Sequence, residues 1–210
     1  MALGQIKAEC LGFYGGVETI AQAAYVSTGA SEGKTYEDKL KLIDYLVKHR
    51  HASPFRFAGC TIRLRIPIFC ERQLVTHTVA IQGSVGESAR YRNTFDEFFT
   101  PDDLTDTTNY KGACAIALLS YRKMINNTPA NATKEQRARI RELARGVLPV
   151  ATMVERIIQV NINGLCSIMR QRLAIQAQLE IRDTAQKILK CLPSEWEFIL
   201  NKLEEYGWNL

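Results

Sequence analysis

Residues 59–66, Gly-Cys-Thr-Ile-Arg-Leu-Arg-Ile, alternate apolar and polar side chains. Side chains on a strand point alternately to its two faces, so this stretch predicts a strand with one buried face. Few other stretches read this way. Residues 5–14 predict a strand leading to Gly15-Gly16. Residues 150–159 predict another, on the β-branched run that starts at Val154, continues to Val160 and is interrupted by Glu155 and Arg156. Nearly everything else carries helical spacing. Between Tyr36 and His49, Leu40, Ile43, Leu46 and Val47 share one face, opposite Glu37, Lys41 and Lys48. Residues 17–25, 108–126, 163–190 (with a break near 173–175) and 194–210 also predict helices. Pro67 opens an element, with Ile68 to Val79 helical. Residues 81–88, carrying Gly83 and Gly86, predict a loop. Thr133 predicts an N-cap before Lys134-Glu135-Gln136, the helix running towards Gly146 and stopping near Pro149.

So few strands cannot be wound into a Rossmann sheet, and no G-x-G-x-x-G is present. The expectation is an α/β (α+β) chain: a helix-rich single domain over 1–210 with a small, mostly antiparallel sheet. At 210 residues one domain is the default, and 46% hydrophobic content supports an ordinary core. The net charge of +5 suits anionic small molecules and is too weak to argue for nucleic acid. No apolar run approaches the ~18 residues of a membrane span. The N-terminus carries no apolar signal core, so the expected compartment is the cytoplasm. Six cysteines lie scattered without C-x-x-C spacing, beside only three histidines. That excludes ordinary zinc spacing and predicts reduced, buried thiols.

Four polar clusters stand out. Lys48-His49-Arg50-His51-Ala52-Ser53 ends a helix. It reads either as a solvated basic terminus or as a turn that offers His51 and Ser53 to a ligand. Arg72, Gln73 and Thr76 share one helical face, ahead of a Gly-containing loop that ends in Ser88-Ala89-Arg90-Tyr91. A hydroxyl, backbone N–H groups and a guanidinium fork suit a phosphate. Arg145 follows Glu142-Leu143-Ala144. Asn161 and Arg172 are polar residues with apolar neighbours, which a bland exposed face explains least well.

These pieces occur in a fixed order. A K-H-x-H-x-S-P-F turn spans Lys48–Phe55, and Pro67 to Gln73 runs into an Arg-Gln helix. S-x-R-Y follows at Ser88–Tyr91, then A-R-x-x-L-P at Ala144–Pro149. Asn161 and Arg172 come next, then A-Q-x-E-I-R at Ala177–Arg182. The set resembles the flavin-dependent thymidylate synthases over about residues 20–200. The resemblance implies a homotetramer with sites at subunit interfaces. It implies transfer of a methylene from methylenetetrahydrofolate to C5 of dUMP, with reduction by NADPH through FAD. Ser88, Ala89, Arg90, Arg145 and Gln73 are then nucleotide-binding. Arg172 faces the pyrimidine carbonyl edge as the catalytic group. His51, Ser53, Thr76, His77, Thr78 and Asn161 lie on the flavin side. No nucleic acid, membrane or metal is implied.

The chain departs from the family signature. Thr76-His77-Thr78 stands where Arg-His-Arg is usual, Ile81 stands at a serine position, and Asn163 stands where an arginine is usual. Each lost guanidinium removes charge-assisted hydrogen bonds of ~1.5–3 kcal/mol. The nucleotide positions therefore match better than the flavin positions. Two other readings stay open: a related enzyme that methylates or hydroxymethylates C5 of UMP or dCMP, and a nucleotide-binding homologue without catalysis.

Overall fold

The computed structural model describes residues 2–27, 29, 33–88 and 95–208. In chain order the elements are β1 (Ala2–Leu3), β2 (Lys7–Tyr14), α1 (Val17–Tyr25), α2 (Tyr36–Lys48), β3 (Gly59–Pro67), α3 (Ile68–Val75), β4 (Ile81–Gly86) and β5 (Glu97–Phe98). They continue with α4 (Thr107–Asn126), α5 (Lys134–Ala144), β6 (Met153–Asn161), α6 (Ile162–Arg172), α7 (Leu179–Lys190) and α8 (Glu197–Glu205). The expected helix-rich α+β class with a small, mostly antiparallel sheet is what forms.

The chain gathers into two compact units. The smaller contains Met1–Ile6, Arg65–Arg72 and Gly86–Arg156; the larger contains Lys7–Leu64, Gln73–Val85 and Ile157–Leu210. The division falls inside β3, α3, β4 and β6.

The four-stranded sheet has the order β2-β3-β6-β4, and the larger unit holds β2 and the greater part of each of the other three strands. The alternation of residues 59–66 does what it predicts: Cys60, Ile62 and Leu64 are buried, and Arg63 is exposed. Helix α7 packs against β2, and α1 packs against α2, which in turn meets α8. Helix α2 opens with a capping box: the Thr35 hydroxyl accepts from the Asp38 N–H while the Asp38 carboxylate accepts from the Thr35 N–H. Trp196 is fully buried. Its Nε1–H donates to the Gly15 carbonyl at 2.9 Å, closing the N-terminal strand onto the C-terminal segment. Gly15 sits at φ +69°, and a Cβ there would run into the Phe57 carbonyl oxygen and lie 2.9 Å from the Ala58 Cα, so only glycine serves.

The smaller unit is built around α4 and α5. One buried cluster joins Phe95, Tyr121, Ala144 and Val154; another joins Phe98, Cys114, Leu118 and Ala151. Strand β1 pairs in parallel with β5, Ala2 opposite Glu97. Thr133 caps α5 as expected, with Gln136 completing a capping box.

Several boundaries differ from expectation. Residues 81–86 form strand β4, not a loop. Gly86 there marks a close approach, because a Cβ on it would sit 2.8 Å from the Arg156 Cζ. The helix begun at Ile68 ends at Val75, four residues early, and Pro67 closes the strand before it. Strand β6 begins at Met153 and runs to Asn161. The break in the long C-terminal helical region extends over 173–178. The last helix ends at Glu205.

Candidate active site

In the smaller unit a cavity of about 470 Å³ is lined by Glu71, Arg72, Glu87, Ser88, Phe95 and Arg145, among others. Its charges can be accounted for one by one. Glu71 accepts from Arg156 through Nε (2.7 Å) and Nη2, with both side chains less than a fifth exposed. Glu87 accepts from the Glu155 N–H at 3.0 Å and from Arg65 Nη1 at 3.4 Å. The two carboxylates on the wall are thus already held. The guanidiniums of Arg72 and Arg145 form no hydrogen bond or ion pair among the described residues, and both residues are exposed. Two uncommitted guanidiniums and a serine on a concave wall are the donor set for a phosphate. The expected Ser88 and Arg145 come together here, and Arg72 joins them. Ala89 and Arg90 lie outside the described residues.

The larger unit holds the second group, at the C-terminus of α3. Arg172, from the end of α6, donates through Nε to His77 Nε2 at 2.8 Å. Its Nη2 donates to the Gln73 carbonyl at 2.7 Å and to Thr76 Oγ1 at 3.2 Å. The Gln73 carbonyl is one of the groups a helix end leaves unpaired, and a cation is favourable there. The Gln73 side chain donates instead to Gln178 Oε1, 2.8 Å away. His77 is buried. Burial first, and the Arg172 charge second, hold its imidazole below the ordinary histidine range. The face expected to carry Arg72, Gln73 and Thr76 together does not persist. The helix ends at Val75, so Gln73 and Thr76 meet Arg172 while Arg72 lines the cavity of the smaller unit.

The remaining flavin-side positions divide. Asn161 is buried, and its Oδ1 accepts from the Gly164 N–H at 2.8 Å as the N-cap of α6. Thr76 Oγ1 donates to the Gln73 carbonyl at 2.8 Å. His51, Ser53 and Thr78 are exposed and make no side-chain hydrogen bond among the described residues; the His51 ring stacks on Tyr45. In the same unit Arg50, Asn163, Ser167, Arg170 and Trp208 line a second cavity, of about 380 Å³. Arg50 is spent on the carbonyls of Tyr206 and Gly207 and lies over the Trp208 ring. The Arg170 guanidinium has no partner among the described residues. The larger unit therefore presents the exposed polar groups of His51, Ser53 and Thr78 and the charge of Arg170.

Sequence reasoning missed Glu71, Glu87 and Arg156. The Glu71–Arg156 pair spans 85 positions, and no local spacing signals it. All six cysteines are free. Among the described residues no group of His, Cys, Asp and Glu could hold a metal, and no helix is long and apolar enough to cross a membrane.

With this geometry in place, comparison with known proteins is informative. The family of thymidylate synthase complementing proteins matches residues 13–196. The chain is 31% identical to the flavin-dependent thymidylate synthase of Rickettsia typhi, an alignment covering 92% of this chain and 74% of that one. It is 33% identical to the enzyme of that name from Thermus thermophilus, covering 89% and 71%. Its fold is similar to a solved UMP/dUMP methylase, PolB from Streptomyces cacaoi, bound with 5-Br dUMP. The TM-score is 0.83 at 23% identity, covering 98% of this chain and 97% of that one. The chain belongs to the flavin-dependent thymidylate synthases, a family of methyltransferases.

Proposed function

We propose that the chain, acting over 1–210 as one catalytic domain, methylates C5 of a pyrimidine nucleoside monophosphate, with dUMP as the first candidate. Methylenetetrahydrofolate supplies the carbon and NADPH the reducing equivalents. The observation that carries this is the cavity of the smaller unit, where Arg72 and Arg145 are uncommitted while both wall carboxylates are already paired. Ser88 and Arg145, with Ala89 and Arg90 from the adjoining segment, hold the phosphate and sugar. Arg172 faces the pyrimidine carbonyl edge. Its positive charge stabilises the negative charge that builds as C5 becomes nucleophilic. His51, Ser53, Thr78 and Arg170 hold FAD, and Asn161, Thr76 and His77 support that side through their internal bonds. Bound flavin would supply the redox chemistry. The working form is a cytoplasmic homotetramer.

The test is a visible absorption spectrum of the purified protein with and without FAD, followed by titration with dUMP. The expected outcome is a bound-flavin spectrum that dUMP perturbs, with Arg145→Ala and Arg172→Ala each weakening the dUMP response about tenfold or more, as loss of a charge-assisted hydrogen bond requires. UMP and dCMP complete the panel. UMP belongs there because the similar fold in Streptomyces cacaoi is a UMP/dUMP methylase. A protein that takes up no flavin, or whose dUMP response survives both substitutions, refutes the proposal.

A further inference from the structure

We propose that His77 is a positioning residue: in its neutral form it locks the Arg172 guanidinium in one orientation and leaves a single nitrogen free for the substrate. The proposal rests on the reading of Arg172 as the group that meets the base.

The argument starts from proton counting. A guanidinium has five N–H donors, and a neutral imidazole has one donor and one acceptor nitrogen. Arg172 has no lone pair to offer, so the short Nε–Nε2 contact requires His77 Nε2 to be the acceptor. His77 is then neutral, with its proton on Nδ1. Three of the five Arg172 donors are used: Nε–H on His77, and the two Nη2 hydrogens on the Gln73 carbonyl and Thr76 Oγ1. Both two-pronged edges of the guanidinium are therefore broken. Only the two Nη1 hydrogens remain without a hydrogen bond among the described residues. A docked Arg172 acts as a fixed single-nitrogen donor, not as a fork.

His77 is itself held. Its carbonyl accepts from the N–H groups of Ala80 and Ile81, which closes the turn it stands on. The charged group facing it is Arg172, from α6; its own turn contributes Thr76 and Thr78, neither of which titrates. A proton on Nε2 would replace an acceptor with a donor pointing at a cation. The lock must then open. Because burial and Arg172 hold the imidazole below the ordinary histidine range, the lock is closed at neutral pH and is lost as pH falls through the folded-state value.

The experiment uses the whole protein and two readouts. The first is imidazole 15N NMR, in which the three histidines are separated by comparison with His77→Gln. Expected are an Nδ1–H tautomer and a titration midpoint below that of an exposed histidine. The midpoint should move up in Arg172→Met. The second is dUMP affinity against pH for wild type, His77→Gln and His77→Leu. Glutamine keeps an acceptor but cannot titrate, so it should bind dUMP more tightly than His77→Leu at neutral pH and flatten the acid limb. Leucine should lose affinity at neutral pH and converge on wild type in acid, where the lock is already open, while remaining folded by circular dichroism. An Nε2–H tautomer, a midpoint indifferent to Arg172→Met, or a His77→Gln profile that keeps the acid limb overturns the proposal. A coupled midpoint in a protein that binds no pyrimidine nucleotide overturns the functional reading, and the positioning role with it, while the His77–Arg172 lock stands. The two failures are thereby told apart.

Discussion

Replacing Gly164 with alanine should destabilise the protein, although helix propensity alone argues the opposite. Gly164 is the third residue of α6. A Cβ built there would lie 2.5 Å from the Ala80 carbonyl oxygen and 3.1 Å from the Ala80 Cα. Both are backbone atoms, so neither can rotate aside, and relief requires the turn ending at Ala80 to move by roughly 1 Å. Forcing an extra methyl into such a contact costs about 1–3 kcal/mol. Alanine gains at most ~1 kcal/mol over glycine in a helix. The net cost is then about 0–2 kcal/mol, which for a chain of this length lowers Tm by up to roughly 8 °C. The assay is thermal unfolding by calorimetry, with Gly112→Ala as its control. Gly112 lies within α4 with nothing within 4 Å of its would-be Cβ, so alanine there should stabilise by about 0.4–1 kcal/mol. A Gly164→Ala variant melting above wild type would refute the close-packing argument. The same displacement carries His77 away from Arg172, so the variant should also lose affinity for dUMP.

Two further outcomes are expected. Glu71→Gln and Arg156→Met should move nucleotide affinity in opposite directions by isothermal titration: the first removes a negative charge from the cavity wall, while the second leaves the Glu71 carboxylate there without its cation. Both should destabilise by about 1.5–3 kcal/mol, the range for a charge-assisted hydrogen bond, and affinity changes of the same sign would sink the charge accounting. Single Cys→Ser changes should leave turnover intact, because burial pushes the Cys60 and Cys166 thiols up to about 12 and Cys191 to about 11, leaving them protonated and unreactive at neutral pH; abolished turnover in a folded Cys→Ser variant would instead point to a covalent nucleophile.

Periodicity made much of the fold legible. Residues 59–66 and the stripe Leu40, Ile43, Leu46 and Val47 obey the spacings of a half-buried strand and an amphipathic helix, and the cap at Thr133 is local side-chain chemistry. What misled was glycine. Gly83 and Gly86 look like loop residues, but both lie in β4, and at Gly86 the Arg156 side chain lies close against the strand. In the site, the order of motifs brought Ser88, Arg145 and Arg172 forward. Their partners could not be foreseen. Glu71 finds Arg156, and Arg172 finds His77, only after the chain has returned across 85 and 95 positions. Asn161 attracted notice as a polar residue among apolar neighbours, and its side-chain carbonyl proves to cap the helix that carries Arg172.

The interleaving of the two units has a consequence for how such a gene can change. Each unit is sewn from three separate stretches, with the chain passing between them at 6/7, 64/65, 72/73, 85/86 and 156/157. No single cut yields either unit intact, and no single recombination event can exchange one for a foreign counterpart. On the ribosome the larger unit stays unfinished until its last segment emerges, since the Trp196 indole closes onto Gly15 across 181 positions. Truncation from the C-terminus should therefore give an unfolded chain rather than a smaller protein, and inheritance acts on the two units as one indivisible module.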